Sequence, residues 1–281
     1  MTGTLRLGLI GDNIARSRSP LLHRLAGQQN ALDVRYDRLV PKDLNASFDT
    51  VFAHCTDAGY RGINVTYPYK EIAARKVRID DPMVRAIGAI NTILFETDGP
   101  VGLSTDYTGF IAAYRGARGD KAPGICCLIG TGGVGRALAF GLVDLGAEEI
   151  RLVDRDPAKA AALAGDLATL GVATRIVVEA DANVAARGAQ GLLNGTPVGM
   201  VGYGGTPLPA GAMRGAIWAF DAVYTPVDTG FLTDAAAAGL DVISGYELFF
   251  FQGVHAWTLF SGRPVDEAAL RASLVAAADA A

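Results

Sequence analysis

The sequence predicts an α/β fold of two domains built on mostly parallel sheets. Apolar strand-like runs alternate with helical runs along all 281 residues, the pattern that chains βαβ units together. Near the middle, a glycine-rich turn entered from an apolar run and left through an apolar helix starts the alternation afresh. The length suits two domains of ordinary size, each with its own core.

In the first block, strand-like runs fall at 5–10, 36–40, 62–66 and 90–95, with helices at 20–29 and 49–58. The second block places strands at 125–129, 149–154, 174–178, 191–194, 218–222 and 241–243, a helix at 137–145, and alanine-rich helical patches at 158–168 and 235–238. The stretch 246–260 is apolar nearly all round, so it predicts a buried helix, placed most simply where the two domains meet. The alanine-rich tail after Pro264 reads as one more surface helix. Because the glycine turn belongs to the first strand of its sheet, the boundary falls near residue 105. This gives a substrate-binding and catalytic domain over 1–104, with 245–281 packing back onto it, and a second domain over 105–244.

Half the residues are hydrophobic, 19% are charged and the net charge is −4. That is a soluble globular composition with no electrostatic reason to bind nucleic acid or an anionic membrane. No leader-like segment and no membrane-length apolar run is read in the sequence. Cys55, Cys126 and Cys127 form neither a disulfide framework nor a metal pair, and read as core thiols in a reducing cytoplasm. His23, His54 and His255 lack metal spacing, so no metal is expected.

The run Ile129-Gly130-Thr131-Gly132-Gly133-Val134-Gly135-Arg136 has G-x-G-x-x-G spacing, with Asp154 at the end of the next strand. The first glycine lets the chain turn, the second lets backbone N–H groups approach a pyrophosphate, and the third lets helix and strand pack closely. The helix start faces an anion with its N–H groups and dipole, while a carboxylate at Asp154 can accept hydrogen bonds from a ribose diol. This predicts a Rossmann-like dinucleotide-binding domain.

Other polar groups gather at predicted strand ends. In Ser17-Arg18-Ser19-Pro20 the two serines point the same way in an extended segment. The plain reading of Ser19 is an N-cap with Pro20 at N1, a role that can coexist with ligand binding. In Asn64-Val65-Thr66-Tyr67-Pro68-Tyr69-Lys70, Asn64 and Thr66 share a face and Pro68 starts a helix bearing Lys70. Such strand ends are the usual ligand position in α/β folds; the plain alternative for Lys70 is a solvated side chain. Asn91 is polar within an apolar run and needs a partner if buried. Asp106 serves equally as an N-cap or a catalytic acid-base group. Asn194-Gly195-Thr196-Pro197 makes a turn able to lie over a cofactor, Tyr224-Thr225-Pro226 ends another strand, and Gln252 sits among phenylalanines, where an unpaired amide costs about 1–3 kcal/mol.

Taken in order, Ser-x-Ser-Pro, Asn-Val-Thr-x-Pro-x-Lys, Gly-Ala-Ile-Asn-Thr, Thr-Asp, the glycine loop, Asn-x-Thr-Pro-x-Gly, Tyr-x-Pro and the late glutamine resemble the shikimate dehydrogenase family, including its quinate/shikimate branch. The resemblance implies a cytoplasmic enzyme, monomeric or homodimeric, that moves a hydride between the C3 hydroxyl of shikimate, or the matching hydroxyl of quinate, and a nicotinamide cofactor. Ser17 and Ser19 would bind the substrate carboxylate, and Asn64, Thr66, Asn91 and Gln252 the ring hydroxyls. Tyr224 would line the site, and Lys70 and Asp106 would form the catalytic pair. Either Lys70 takes the hydroxyl proton, or Asp106 orients the hydroxyl while Lys70 stabilises developing alkoxide charge. Gly130 to Gly135, Asp154, Arg155, Asn194 and Thr196 would hold the cofactor.

The chain departs from the family pattern where Asn-Thr-Asp-Gly becomes Ser104-Thr105-Asp106-Tyr107, and where Gly253 replaces an alanine. These changes suggest an altered pocket, and with it a modified substrate such as an aminoshikimate. A non-catalytic metabolite sensor is the alternative of another class. Asp154, where NADP enzymes of the family usually carry Asn followed by Arg, favours NAD; Arg155 leaves NADP use open.

Overall fold

Two sheets organise the chain. In the computed structural model, which describes residues 3–279, the first belongs to a unit that runs to Thr105 and resumes at Gln252. The second belongs to a unit spanning Asp106–Phe251.

The first unit contains β1 (Leu5–Ile10), α1 (Ser19–Gln29), β2 (Val34–Leu39), α2 (Phe48–Asp57), β3 (Gly62–Val65), α3 (Lys70–Ala74), α4 (Pro82–Ile87), β4 (Thr92–Glu96) and β5 (Gly99–Leu103). The sheet order is β2-β1-β3-β4-β5. β1 is parallel to both neighbours, whereas β4 pairs antiparallel with β3 and β5. The two-residue connection between Glu96 and Gly99 permits only a hairpin there. β5 was not foreseen because Gly99-Pro100-Val101-Gly102-Leu103 is poor in strand formers. It is an edge strand, where proline is tolerated, and a side chain at Gly102 would collide with Val77 and Ile90. The strand expected from residue 90 begins at Thr92 instead, since the Ile90 amide donates to the Lys70 carbonyl and leaves the ladder.

Alternation along β1 and β3 sends Leu7 and Leu9 into one apolar cluster with Tyr36, Leu94 and Phe260, and Ile10, Ile63 and Val65 into another with Phe48, Val51 and Cys55. The second unit follows with α5 (Thr105–Arg118), whose first residue still belongs to the first unit. It continues through β6 (Ile125–Ile129), α6 (Gly133–Asp144), β7 (Glu149–Val153), α7 (Pro157–Ala168), β8 (Arg175–Glu179), α8 (Ala182–Ala186), β9 (Gly191–Asn194), β10 (Trp218–Asp221), α9 (Gly230–Ala237) and β11 (Asp241–Ile243). The order β11-β10-β9-β6-β7-β8 is parallel throughout. It is the doubly wound dinucleotide-fold order, with β6 as its first strand. All four residues of β9 and of β10 are buried, as strands covered on both faces require.

The apolar stretch near the end forms α10 (Gly245–Ser261), and the tail forms α11 (Glu267–Asp279). The return to the first unit comes at Gln252, not at residue 245. The reason lies in the first two turns of α10: a side chain at Gly245 would sit 2.4 Å from the Val223 carbonyl, and Phe249 stacks on Tyr224 at 4.9 Å. The three cysteines are free and buried, and among the described residues no helix is long and apolar enough to cross a membrane.

His23, on α1, is fully buried, with its ring stacked on Tyr36 at 4.9 Å and Trp257 and Phe260 beside it. Burial pushes its imidazole down to about 3, against the opposing pull of a hydrogen bond with Asn64, and Nδ1 has no hydrogen-bond partner. The folded state therefore holds the neutral ring while the unfolded chain takes a proton near pH 6.5. Stability present above that pH is lost as pH falls towards the folded value, by about 2 kcal/mol between pH 7 and 5. Urea denaturation of His23→Leu at the two pH values should show a fall in unfolding free energy smaller than wild type by about that amount. Equal falls would refute a neutral buried His23.

Candidate active site

Each unit has a point where successive helices cross to opposite faces of its sheet, and the strand ends there form a crevice suited to a ligand. In the first unit that point lies between β1 and β3. A side chain at Gly11, just past β1, would sit 2.3 Å from Thr66 Cγ2. Glycine there lets the Thr66 methyl lie against the loop, while the Thr66 amide donates to Ile10.

The loop continues to Ser17, whose hydroxyl donates to Ser19 Oγ (3.2 Å) and accepts from the Ser19 amide (3.3 Å). The expected N-cap at Ser19 is corrected: Ser19 is the first helical residue, Arg18 holds the cap position, and no side chain caps α1. Ser19 lies inside the helix because Pro20 takes the second position, where its missing N–H costs nothing. Two clustered hydroxyls at a helix N-terminus are donors of the kind a carboxylate accepts from. Arg38, donating to the Ser17 carbonyl at 2.7 Å, adds positive charge nearby.

At the end of β3 the polar residues converge on Asn91. Its Nδ2 donates to Thr105 Oγ1 (2.9 Å) and Gln252 Oε1 (3.3 Å), and its Oδ1 accepts from the Thr105 amide (2.7 Å). Asn64 donates to the Asn91 carbonyl (3.2 Å) and Thr92 Oγ1 (3.1 Å), and accepts from the Tyr36 hydroxyl (2.8 Å). Thr92 and Thr105 share a hydrogen bond at 3.0 Å. The structure thus joins Asn64, Asn91 and Gln252 as expected, and adds Thr92, Thr105 and Tyr36. The two threonines stand in the quoted motifs, but Tyr36 is an aromatic in an ordinary strand pattern and carries no local signal.

Lys70 is tied to this network through its backbone, where its carbonyl takes the Ile90 N–H. The helix carrying it starts at Lys70 itself and not at Pro68. Its cap position is Tyr69, since the 66–69 turn, closed by the Tyr69 amide on the Thr66 carbonyl, intervenes. Asp106 is not an N-cap: α5 begins one residue earlier, at Thr105, whose amide is taken by Asn91, and Asp106 lies in the helix's first turn. Gly253 does not enlarge a pocket. A side chain there would lie 2.6 Å from Leu22, so the glycine lets α10 pack on α1.

In the second unit the crevice lies between β6 and β9. Gly130 turns at φ +94°, and a Cβ at Gly135 would fall 1.9 Å from the Gly130 carbonyl oxygen. Gly132 is the N-cap of α6 and supplies no side-chain cap; a Cβ there would meet nothing within 4 Å. The first N–H groups of α6, from Gly133, Val134 and Gly135, have no intrahelical acceptor, as at any helix start, and can serve a pyrophosphate. Asp154 Oδ2 accepts from the Thr131 amide (2.8 Å) and hydroxyl (2.9 Å), and Oδ1 from the Asp156 amide (2.9 Å). Burial alone would push this carboxyl up, but those hydrogen bonds and the charge of Lys159 hold it below the ordinary carboxylate range. Arg155 is exposed beside it. The residues present therefore fit a dinucleotide.

Across the crevice, Asn194 donates to Val198 O (3.0 Å) and Asp221 Oδ1 (2.9 Å), and accepts from the Thr196 amide (3.0 Å) and hydroxyl (2.6 Å). All four hydrogen-bonding positions of its amide group thus build the turn that presents Thr196. Asp221 anchors that turn and was missed. It is wholly buried, accepts from Asn194, Val223 and Thr229, and is pushed up to about 6 by burial. Tyr224, three residues on, stacks on Phe249.

A family profile described as Shikimate dehydrogenase substrate binding domain matches residues 9–93, and one described as NADP oxidoreductase coenzyme F420-dependent matches 125–191. The chain is 34% identical to the quinate/shikimate dehydrogenase (NAD(+)) of Corynebacterium efficiens over 97% of its own length and 98% of the other's. It is 36% identical to the shikimate dehydrogenase (NADP(+)) of Moorella thermoacetica, over 92% and 88%. Among solved structures, quinate dehydrogenase from Corynebacterium glutamicum in complex with NAD superposes with a TM-score of 0.85 at 28% identity, covering 97% of this chain and 99% of that one. Shikimate 5-dehydrogenase from Thermus thermophilus in complex with NADP(H) and shikimate gives 0.84 at 31%, covering 97% and 99%.

The contact of Gly135 with Gly130 leaves no room for a methyl group. Gly135→Ala must open the turn or displace α6, at about 1–3 kcal/mol. Fluorescence titration with NADH should show affinity lowered about tenfold or more, together with a lower Tm. Unchanged binding would show that the turn does not hold the dinucleotide.

Proposed function

The chain belongs to the shikimate dehydrogenase family, and we propose that it interconverts shikimate, or quinate, and the corresponding ketone, with NAD as the preferred cofactor. The observation that carries this reading is that each unit presents half of the required chemistry at its own strand ends. One has paired serine hydroxyls at a helix start and an amide and hydroxyl network; the other has a glycine-lined helix start without a side-chain cap and an ordered carboxylate. The bound nicotinamide would supply the hydride acceptor for alcohol oxidation and the donor for the reverse reaction.

The chain's own residues supply the rest. Ser17 and Ser19 hold the substrate carboxylate, and the network of Asn64, Asn91 and Gln252, with Thr66, orients the ring hydroxyls. Asn64 already gives both amide protons to protein acceptors, so its part is chiefly to fix Asn91 and Thr92. Lys70 and Asp106 manage the proton that leaves the reacting hydroxyl as its carbon loses a hydride. Their chain positions support this, Lys70 being tied by its carbonyl to Ile90 and Asp106 directly following Thr105. Gly130 to Gly135 receive the pyrophosphate, Asp154 the adenosine ribose, the Asn194–Thr196 turn completes the cofactor site, and Tyr224 lines the substrate site. The three buried free thiols favour a reducing cytoplasm.

Lys70→Ala should lower kcat for shikimate oxidation by about 100-fold or more, the scale of general acid-base catalysis, with an unchanged melting curve. Near-normal turnover in the folded variant would remove Lys70 from the mechanism.

Cofactor choice follows from the charge at Asp154. A 2′-phosphate of charge about −2 would meet that carboxylate at short range, whereas a ribose diol donates to it. Wild-type kcat/KM should favour NAD, and Asp154→Asn should move the ratio towards NADP. A wild type that prefers NADP would overturn the assignment.

A further inference from the structure

The residue between the first two glycines of a G-x-G turn is free to vary as far as the turn itself is concerned, yet in this chain it is Thr131, and its side chain makes a specific bond. The Thr131 hydroxyl donates to Asp154 Oδ2 at 2.9 Å and its amide donates to the same oxygen at 2.8 Å. The other carboxylate oxygen accepts from the Asp156 amide at 2.9 Å. Two donors on one oxygen and one on the other fix the carboxylate plane, as one bond would not. We propose that Thr131 is a specificity-determining positioning residue for the cofactor: it holds Asp154 in the orientation that accepts the ribose diol and keeps it from turning aside for a 2′-phosphate.

Both alternatives stand next to each other on this chain. Exposed Arg155 follows Asp154 directly, and the Lys159 charge acts on the same carboxylate. If Asp154 swung away, a phosphate would find two cations in place of a carboxylate. What opposes that swing is the loop's grip, and the hydroxyl is the part of the grip that a side chain supplies. Removing it leaves the two amide bonds, so the turn survives while the carboxylate gains freedom. The inference rests on the NAD reading above, but the two fail separately. Cofactor preference is read in the wild type; the role of Thr131 is read in how far that preference changes on substitution.

The test compares Thr131→Ala, Thr131→Val and Thr131→Ser with wild type, using fluorescence titration of NADH and NADPH together with kcat/KM for NAD and NADP. Loss of a hydrogen bond to a charged group should weaken NADH binding about tenfold in Ala and Val. NADPH binding should hold or improve, the kinetic ratio should narrow by a similar factor through KM with kcat little changed, and Ser should restore wild-type behaviour. Should Ala not fold, the isosteric Val against Ser carries the same comparison. The proposal is overturned if the ratio of the two affinities is unchanged, if both cofactors weaken in step, or if Ser behaves like Ala.

Discussion

The second unit depends on one close approach: the Gly130 carbonyl oxygen lies where a Cβ of residue 135 would be, 1.9 Å from that position. This approach lets α6 begin within four residues of the end of β6, at the strand end where the crevice lies. Gly195, after β9, presses on the same carbonyl, 2.9 Å from where its own Cβ would lie. Two loops from adjacent parallel strands can share that space only because none of the three residues has a side chain. The doubly wound order supplies the crevice, but the missing Cβ atoms let backbone groups line it.

The first unit meets the same demand with polar side chains. Its crevice is held by Asn91, whose backbone is bonded to Val65 and Leu103 on either side while its side chain binds Thr105 and Gln252. Buried polar networks of this kind are stable only when nearly every member is satisfied. Asn64 shows how far that goes, with its amide bonded to Tyr36, Thr92 and the Asn91 backbone. Such a hub connects segments distant in sequence, 64, 91–92, 105 and 252, through side-chain hydrogen bonds.

Much of this was legible in the sequence. The glycine run, with its flanking strand and helix and the acid beyond, identifies the dinucleotide half by local chemistry alone. Period and composition located every strand of the second sheet, the inner ones because strands covered on both faces are simply apolar. The first sheet was harder to foresee where glycine and proline occupy β5, since only its edge position and the crowding of Val77 and Ile90 explain those residues. Helix starts were misplaced at Ser19, Pro68 and Asp106 because local context sets them: Pro20 takes the second position of α1, the Tyr69 amide closes a turn on Thr66, and the Asn91 side chain takes the Thr105 amide. Tyr36 and Asp221 were missed because their partners are far away in sequence, Asn64 for one and Asn194 and Thr229 for the other.

Asp221 and His23 show what holding such crevices requires. Each is a titratable group buried without an opposite charge, displaced from its usual range chiefly by burial, Asp221 upward and His23 downward. Apolar residues of similar size would fill the same volume without that electrostatic penalty. Each, however, faces a residue that shapes a binding crevice: Asp221 bonds Asn194, which builds the Thr196 turn, and His23 reaches Asn64, which fixes Asn91 and Thr92. Because a buried polar partner restricts an amide to one orientation, these groups convert folding free energy into a defined arrangement of donors and acceptors. Both residues stand next to the amide they orient, Asp221 at Asn194 and His23 at Asn64.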